Sequence, residues 1–321
     1  MNNDIDAVVS WVDGADQKHR DKRNSFIERE ENDSSSPNAA AVARFQDNGE
    51  LRFCLYSLRK FAPWLRKIYL ITDDQRPAWL SSDVITSLGV VLVDHKELFS
   101  EDGDLLPTFN SRSIETMLAQ IPGLSERFIY LNDDMALTKR VVPADFFQGD
   151  KLVVRARWGV KSRWLERKLR RFTFWHRRGY ICRRPGVHLL PGRIGYFDLA
   201  HAPHGLFKSD FQAVFTREAR RSNARFRFRS ESQLSPVGFV INTSRVWRPV
   251  ARRDKDWVCF FPEKSKSGVF SITGRENLNN FKFVCFQDLQ DFGEARRLSL
   301  TAEMCGRLGL SLDDQLHEHP T

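Results

Sequence analysis

Two aspartates follow a run of apolar and aromatic residues in "FIYLNDDMAL", residues 128–137. Adjacent carboxylates at the end of a buried strand suit a hard divalent cation. Mg²⁺ accepts one or two carboxylates, keeps several waters and bridges phosphate oxygens. Asn132-Asp133-Asp134 is equally good turn chemistry, because short polar side chains bond their own backbone. The stretch His201-Ala-Pro-His204 offers a general base, since imidazole titrates near neutral pH. Both histidines are also ordinary as core or surface residues. Lys208, Arg225, Arg227 and Arg229 offer cations for phosphate oxygens. The alternation in "RFRFRS" also describes a strand with one solvated face. Asp288 ends another aromatic run, "NFKFVCFQD". A Walker loop and a Gly-x-Gly-x-x-Gly pattern are both missing from the sequence, which argues against an ATPase or a dinucleotide enzyme.

Elements must position these groups. "IDAVVSW" (5–11) reads as a buried strand ending at Asp13-Gly14. "NGELRFCLYSLRKFA" reads as a helix: Leu51, Leu55 and Leu58 repeat at helical spacing, Asn48 is a candidate cap and Pro63 ends it. "KIYLIT" (67–72), "GVVLVD" (89–94) and "RFIYL" (127–131) are short β-rich runs, and "SRSIETMLAQI" (111–121) is helical. Strands alternating with helices predict an α/β domain with a largely parallel sheet. In such sheets ligands bind at the carboxyl ends of the strands. Those ends carry Asp13, Asp73-Asp74, Asp94 and Asp133-Asp134, an acidic rim.

The net charge of +9 is local. Residues 151–184 hold thirteen Lys or Arg and one acid, Glu166, more than accounting for the excess. Within them, "VKSRWLERKLRRFTFW" reads as a basic amphipathic helix with Trp164, Leu165, Leu169 and Phe172 on one side. Such a segment suits an anionic membrane surface or nucleic acid. The five cysteines are scattered and odd in number, as expected of reduced thiols in a cytoplasmic protein. The N-terminus lacks a basic n-region, so no secretory signal is expected, and the absence of a long apolar run predicts no spanning helix. The expected organisation is an α/β region over 1–150, a basic insertion over 151–195 and a C-terminal region over 196–321, in one compact catalytic domain.

Four blocks resemble the Stealth proteins. The family includes bacterial capsule polymerases that make phosphodiester-linked polysaccharides, and the catalytic subunit of the lysosomal-enzyme N-acetylglucosamine-1-phosphotransferase. The blocks are "IDAVVSWVDGAD"; the long run from "RFQDNGELRFCLYSLRKFAPWLRKIYLITDDQRPAWL" through "LPTFNSRSIET" to "IPGLSERFIYLNDDMAL"; "HAPHGLFKSDF" through "RFRFRS"; and "FKFVCFQD". The resemblance implies a nucleotide-sugar-binding, Rossmann-like sheet of glycosyltransferase type A style, with a C-terminal portion completing the cleft. It also implies transfer of a sugar-1-phosphate from a UDP-sugar, such as a UDP-N-acetylhexosamine, to a sugar or polysaccharide acceptor. The acceptor hydroxyl attacks the phosphorus next to the donor sugar and UMP leaves.

By the same resemblance Asp133 and Asp134 hold Mg²⁺ or Mn²⁺, with Asn132 beside them. Asp6, Trp11, Asp13 and Gly14 contribute to the nucleotide pocket. His201 is the general base with His204 second, Lys208 and Arg229 clamp phosphate, and Asp288 orients the base or contacts sugar or metal. Tyr56 and Gln287 depart from the family's usual Arg and Asn. Nucleic acid is not an expected partner. The expected location is cytoplasmic, at the inner face of the membrane if residues 155–184 contact anionic lipid. The rival readings are an ordinary glycosyltransferase releasing UDP and a non-catalytic basic binding protein.

Overall fold

Strand β1 (Ile5–Ser10) is apolar on both faces over Ala7–Val9, and all but its last residue are buried. That pattern belongs to the middle of a parallel sheet covered on both sides. The structure is a computed structural model and describes residues 4–30, 49–160, 195–230, 232–253, 256–260, 278–287 and 289–312. After β1 come α1 (Gln17–Glu30), α2 (Glu50–Phe61), β2 (Ile68–Thr72), α3 (Ser82–Leu88), β3 (Val90–Asp94), the single turn α4 (His95–Leu98) and α5 (Ser111–Thr116). Next are β4 (Arg127–Asn132), β5 (Met135–Leu137), β6 (Phe147–Gln148), β7 (Lys151–Val160), β8 (Gly195–Leu199) and β9 (His204–Phe207). The chain then runs through α6 (Lys208–Val214), α7 (Arg217–Ala224), α8 (Pro236–Ser244), β10 (Val250–Arg253), β11 (Trp257–Phe260), β12 (Phe283–Phe286) and α9 (Glu294–Leu308).

The central sheet has the order β3-β2-β1-β4-β9, parallel except for β9. The protein is thus mixed α/β with a parallel-rich sheet, as the alternation of elements predicts. Chain order moves outward from β1 to β3 on one side and resumes at β4 on the other. This reversal beside β1 is a topological switch point, where a crevice opens at the carboxyl ends of the strands.

Helix α2 buries Leu51, Cys54, Leu55 and Leu58, a stripe at helical spacing. It starts at Gly49, whose φ of 91° is in the left-handed region that glycine tolerates; Asn48 lies outside the described residues. A second sheet, β10-β7-β6 with β8 on β7, and a third, β11-β12-β5, flank the first. Phe53, Ala136, Val284, Phe286 and Met304 form a separate apolar cluster under α9.

Two expectations change here. The "RFRFRS" stretch is not a strand: Phe226 and Phe228 run irregularly, and their carbonyls accept from the Asn110 carboxamide at 3.0 and 2.9 Å. Residues 151–160 form β7, and the amphipathic helix expected over 160–175 lies, past Val160, outside the described residues. Arg155 is fully buried, paired with Asp256 at 2.8 Å and 4.1 Å from the Phe283 ring centroid, so it belongs to no basic face.

Candidate active site

β1 and β4 run in register, Ser10 opposite Asn132, so both strand ends open at the switch point. The Ser10 and Tyr130 hydroxyls are 3.0 Å apart across them. Beyond β1, Trp11 packs into the core and donates its N–H to the Ile71 carbonyl at 2.9 Å. The Gln75 side chain then clasps the next turn. It accepts from the Asp13 N–H and donates to the Asp13 carbonyl, each at 2.9 Å. One Asp13 carboxylate oxygen accepts from the Ala15 N–H at 2.7 Å, and Gly14 is buried beneath.

Beyond β4, Asn132, Asp133 and Asp134 are half-buried. β12 fixes the last of them. Phe286 donates its N–H to the Asp134 carbonyl at 2.8 Å, and the Cys285 thiol donates to Asp134 Oδ2 at 3.4 Å. Burial, then the nearby charges of Asp133 and Asp134, push the Cys54 thiol well up. Among the described residues no group of three or more His, Cys, Asp or Glu gathers as a metal cluster. Two hard carboxylates side by side still fit Mg²⁺, which takes its remaining ligands from water and phosphate.

A cleft of about 180 Å³ lies against the end of β4, lined by Arg112, Glu115, Tyr130, Asn132, His201 and His204 among others. His204 sits on β9 opposite Tyr130. Its Nε2 is 3.0 Å from the Ala200 carbonyl, which can only accept, so Nε2 carries the proton. Burial lowers its pKa to about 4, partly offset by that hydrogen bond. The ring is therefore neutral, and Nδ1, without a hydrogen-bond partner, presents a lone pair. Burial pushes Glu115 up to about 7, opposed by Arg229 and Arg112. The Tyr130 hydroxyl is 3.4 Å from Glu115 Oε1 and 3.3 Å from Asn132 Oδ1. Arg229 donates to Ser111 Oγ at 2.7 Å at the start of α5, and Arg112 donates to the Ser230 and Gln233 carbonyls at 3.2 and 3.3 Å.

The structure therefore gathers Asn132, His201 and His204 around one cleft, with Asp133 and Asp134 on the turn beside it, Arg229 close to Glu115, and Trp11, Asp13 and Gly14 at the neighbouring strand end. It does not gather Asp6 and Lys208. Asp6 is buried at the opposite end of β1, where it accepts from Arg66 Nε at 2.9 Å, Arg66 Nη2 at 2.6 Å and the Ser125 N–H at 2.7 Å. It ties the starts of three strands together. Lys208 follows β9, and its N–H donates to the Glu126 carbonyl just before β4. Six strand residues, about 20 Å, separate it from Asp133. Asp288 lies outside the described residues. Glu115, Tyr130, Ser10 and Arg112 escaped the sequence reading. Glu115 falls in an ordinary helical pattern and Tyr130 in an ordinary strand, so only the fold reveals that they meet.

A mixed α/β protein with a cleft at the carboxyl end of β4 in a Rossmann-like, parallel-rich sheet is the class this geometry defines. Residues 44–155 match the model of Stealth protein CR2, conserved region 2. The chain is 46% identical over 149 residues to an exopolysaccharide phosphotransferase, cps2G, of Lactiplantibacillus plantarum, covering 46% of this chain and 41% of the relative. It is 43% identical over 150 residues to the receptor polysaccharide phosphotransferase WefC of Streptococcus oralis, covering 47% and 43%. It is 36% identical over 240 residues to the exopolysaccharide phosphotransferase SCO2594 of Streptomyces coelicolor, covering 72% and 37%. The chain belongs to the Stealth family, and these relatives match it over about two fifths of their own length. Among solved structures, the galactosyltransferase LgtC with donor and acceptor sugar analogues aligns over 97% of this chain and 99% of its own, at TM-score 0.42 and 10% identity. The inositol-1-phosphate CTP transferase of T. maritima aligns over 97% and 100%, at TM-score 0.40 and 12% identity. These are likenesses of outline, and the fold assignment rests on the strand order.

Proposed function

We propose that the chain transfers a sugar-1-phosphate, of the N-acetylhexosamine type, from a UDP-sugar to a sugar hydroxyl in surface-polysaccharide synthesis. The observation that carries this reading is one cleft in which a neutral histidine and a guanidinium adjoin a pair of carboxylates. Phosphoryl transfer asks for those groups: a base for the attacking hydroxyl and counter-charge for the phosphate oxygens. The acceptor oxygen forms a bond to the phosphorus next to the donor sugar, and the bond from that phosphorus to UMP breaks. The acceptor proton passes to Nδ1 of His204, with His201 on the same wall as the alternative base. Arg112 and Arg229 balance charge on the phosphoryl oxygens. Glu115 holds the guanidiniums and the Tyr130 hydroxyl in place. Asp133 and Asp134 would hold Mg²⁺, which supplies charge neutralisation at the diphosphate when bound. The turn of Trp11, Asp13 and Gly14 takes the nucleotide, and Asp288 serves the base, sugar or metal.

The nucleotide released tests the reading. Incubation with UDP-N-acetylglucosamine, Mg²⁺ and acceptor sugar yields UMP and a phosphodiester product. Release of UDP contradicts it and favours an ordinary glycosyltransferase. Unchanged function in Asp133→Ala contradicts any catalytic reading and favours a binding protein. Peripheral contact with an anionic membrane through residues 155–184 belongs to the same proposal. Co-sedimentation with anionic vesicles that survives neutralising Arg167, Lys168, Arg170 and Arg171 contradicts that part.

A further inference from the structure

The first turn of α8 opens into the same cleft: Ser235, Val237 and Gly238 line it together with Arg112 and His204. This turn is left without a cap. Pro236, the first helical residue, has no N–H, and the Ser235 hydroxyl bonds no backbone N–H. The first bond along the helix runs from the Phe239 N–H to the Ser235 carbonyl at 2.8 Å. The amides of Val237 and Gly238 are therefore orphan donors at the positive end of a nine-residue helix. α3 and α7 fill this position from their own side chains, whereas α2, α6 and α9 also lack a side-chain cap. Ser81 accepts from the Val84 N–H and Thr216 from the Ala219 N–H. Gly238 keeps the turn open, since an added Cβ would approach Ser235 Oγ at 3.7 Å and Leu199 Cδ1 at 3.9 Å and nothing closer.

A second observation points to a ligand at this turn. His204, 5% exposed, lines the cleft with Nδ1 unpartnered. A helix that lacks a cap, a buried acceptor that lacks a donor and a guanidinium that supplies charge share one small space. Helix N-termini with open amides bind phosphate oxygens.

We propose that the first turn of α8, with Arg112 in the same cleft, is an anion cradle that holds the non-bridging oxygens of a phosphoryl group beside His204. In the transfer reaction, on which this use of the site rests, the cradle receives the charge that develops on the phosphoryl oxygens while Nδ1 of His204 receives the acceptor proton.

The test is calorimetric titration of the full chain with inorganic pyrophosphate, alongside thermal unfolding and transfer assays. In Ser235→Asp the new carboxylate caps the helix and fills the cradle. The expected result is a melting temperature equal to or above that of the wild type, with pyrophosphate affinity lower by about tenfold or more. Gly238→Asp, which has room at Cβ, loses affinity in the same way. Ser81→Asp places a carboxylate at the cap of α3 and leaves the affinity unchanged. Equal affinity in wild type and Ser235→Asp overturns the cradle, as does a wild type that binds no pyrophosphate. A wild type that releases UDP, yet still loses pyrophosphate in Ser235→Asp, upholds the cradle and removes only the sugar-phosphate reading.

Discussion

Single residues at the cleft carry opposite pH signatures. Glu115 titrates near 7 in the folded chain, against an ordinary value near 4.5, because it is buried. Between those values the unfolded chain loses a proton that the folded chain keeps, so stability falls as pH rises from about 4.5 to 7. Glu115→Gln abolishes that loss. Its stability relative to wild type should improve by about 2 kcal/mol between pH 5 and pH 8, read by denaturant unfolding. A constant difference would mean that Glu115 is not desolvated. His204 runs the other way. Its pKa is lowered to about 4, so its contribution to stability is present above 6.5 and is lost as pH falls toward 4. As the base it stays unprotonated across pH 5–8, and His204→Ala should lower kcat by about 10²–10⁴ with little change in donor KM. A rise in KM alone would assign it to binding.

At the scale of elements, the ends of the central sheet divide the labour. Asp6 holds the starting ends of β1, β2 and β4, remote from the cleft. Asp6→Ala should cost about 3 kcal/mol in stability while leaving donor KM unchanged; a higher KM at intact stability would return it to the nucleotide pocket. At the opposite end, Asp73 follows β2 and anchors α1, accepting from Lys22 at 2.5 Å and bonding His19 at 2.9 Å. These partners hold its carboxyl far below the usual range despite burial. Asp73→Ala should speed hydrogen exchange in residues 17–27 more than in β1 or β4. Equal protection would show that α1 is held by Phe26 and Phe109 packing instead.

These elements were legible because their period is strong. β1, β2 and β4 are near-continuous apolar runs, and α2 carries a leucine stripe. What stayed hidden depends on tertiary contact. Asp6 reads like an active-site acid until Arg66 and Ser125 close on it. The Arg-Phe alternation at 225–229 reads as a strand until Asn110 takes its carbonyls.

For the whole molecule, the cleft ties strand order to chemistry, with Asp133-Asp134 on the turn after β4, His204 on β9 and Arg112 on α5 brought together at the end of β4, which β9 pairs. Among the described residues no helix is long and apolar enough to cross a membrane. The acidic pair and the histidines were legible as types and spacing, but which histidine carries an open lone pair emerges only from Ala200. The central claim is that attack occurs at phosphorus. A UDP-N-acetylglucosamine labelled at the phosphorus nearest the sugar decides it most directly. The account predicts that the label enters the acceptor product and that the released nucleotide is unlabelled UMP. Label recovered in released UDP, with an unlabelled product, would contradict it.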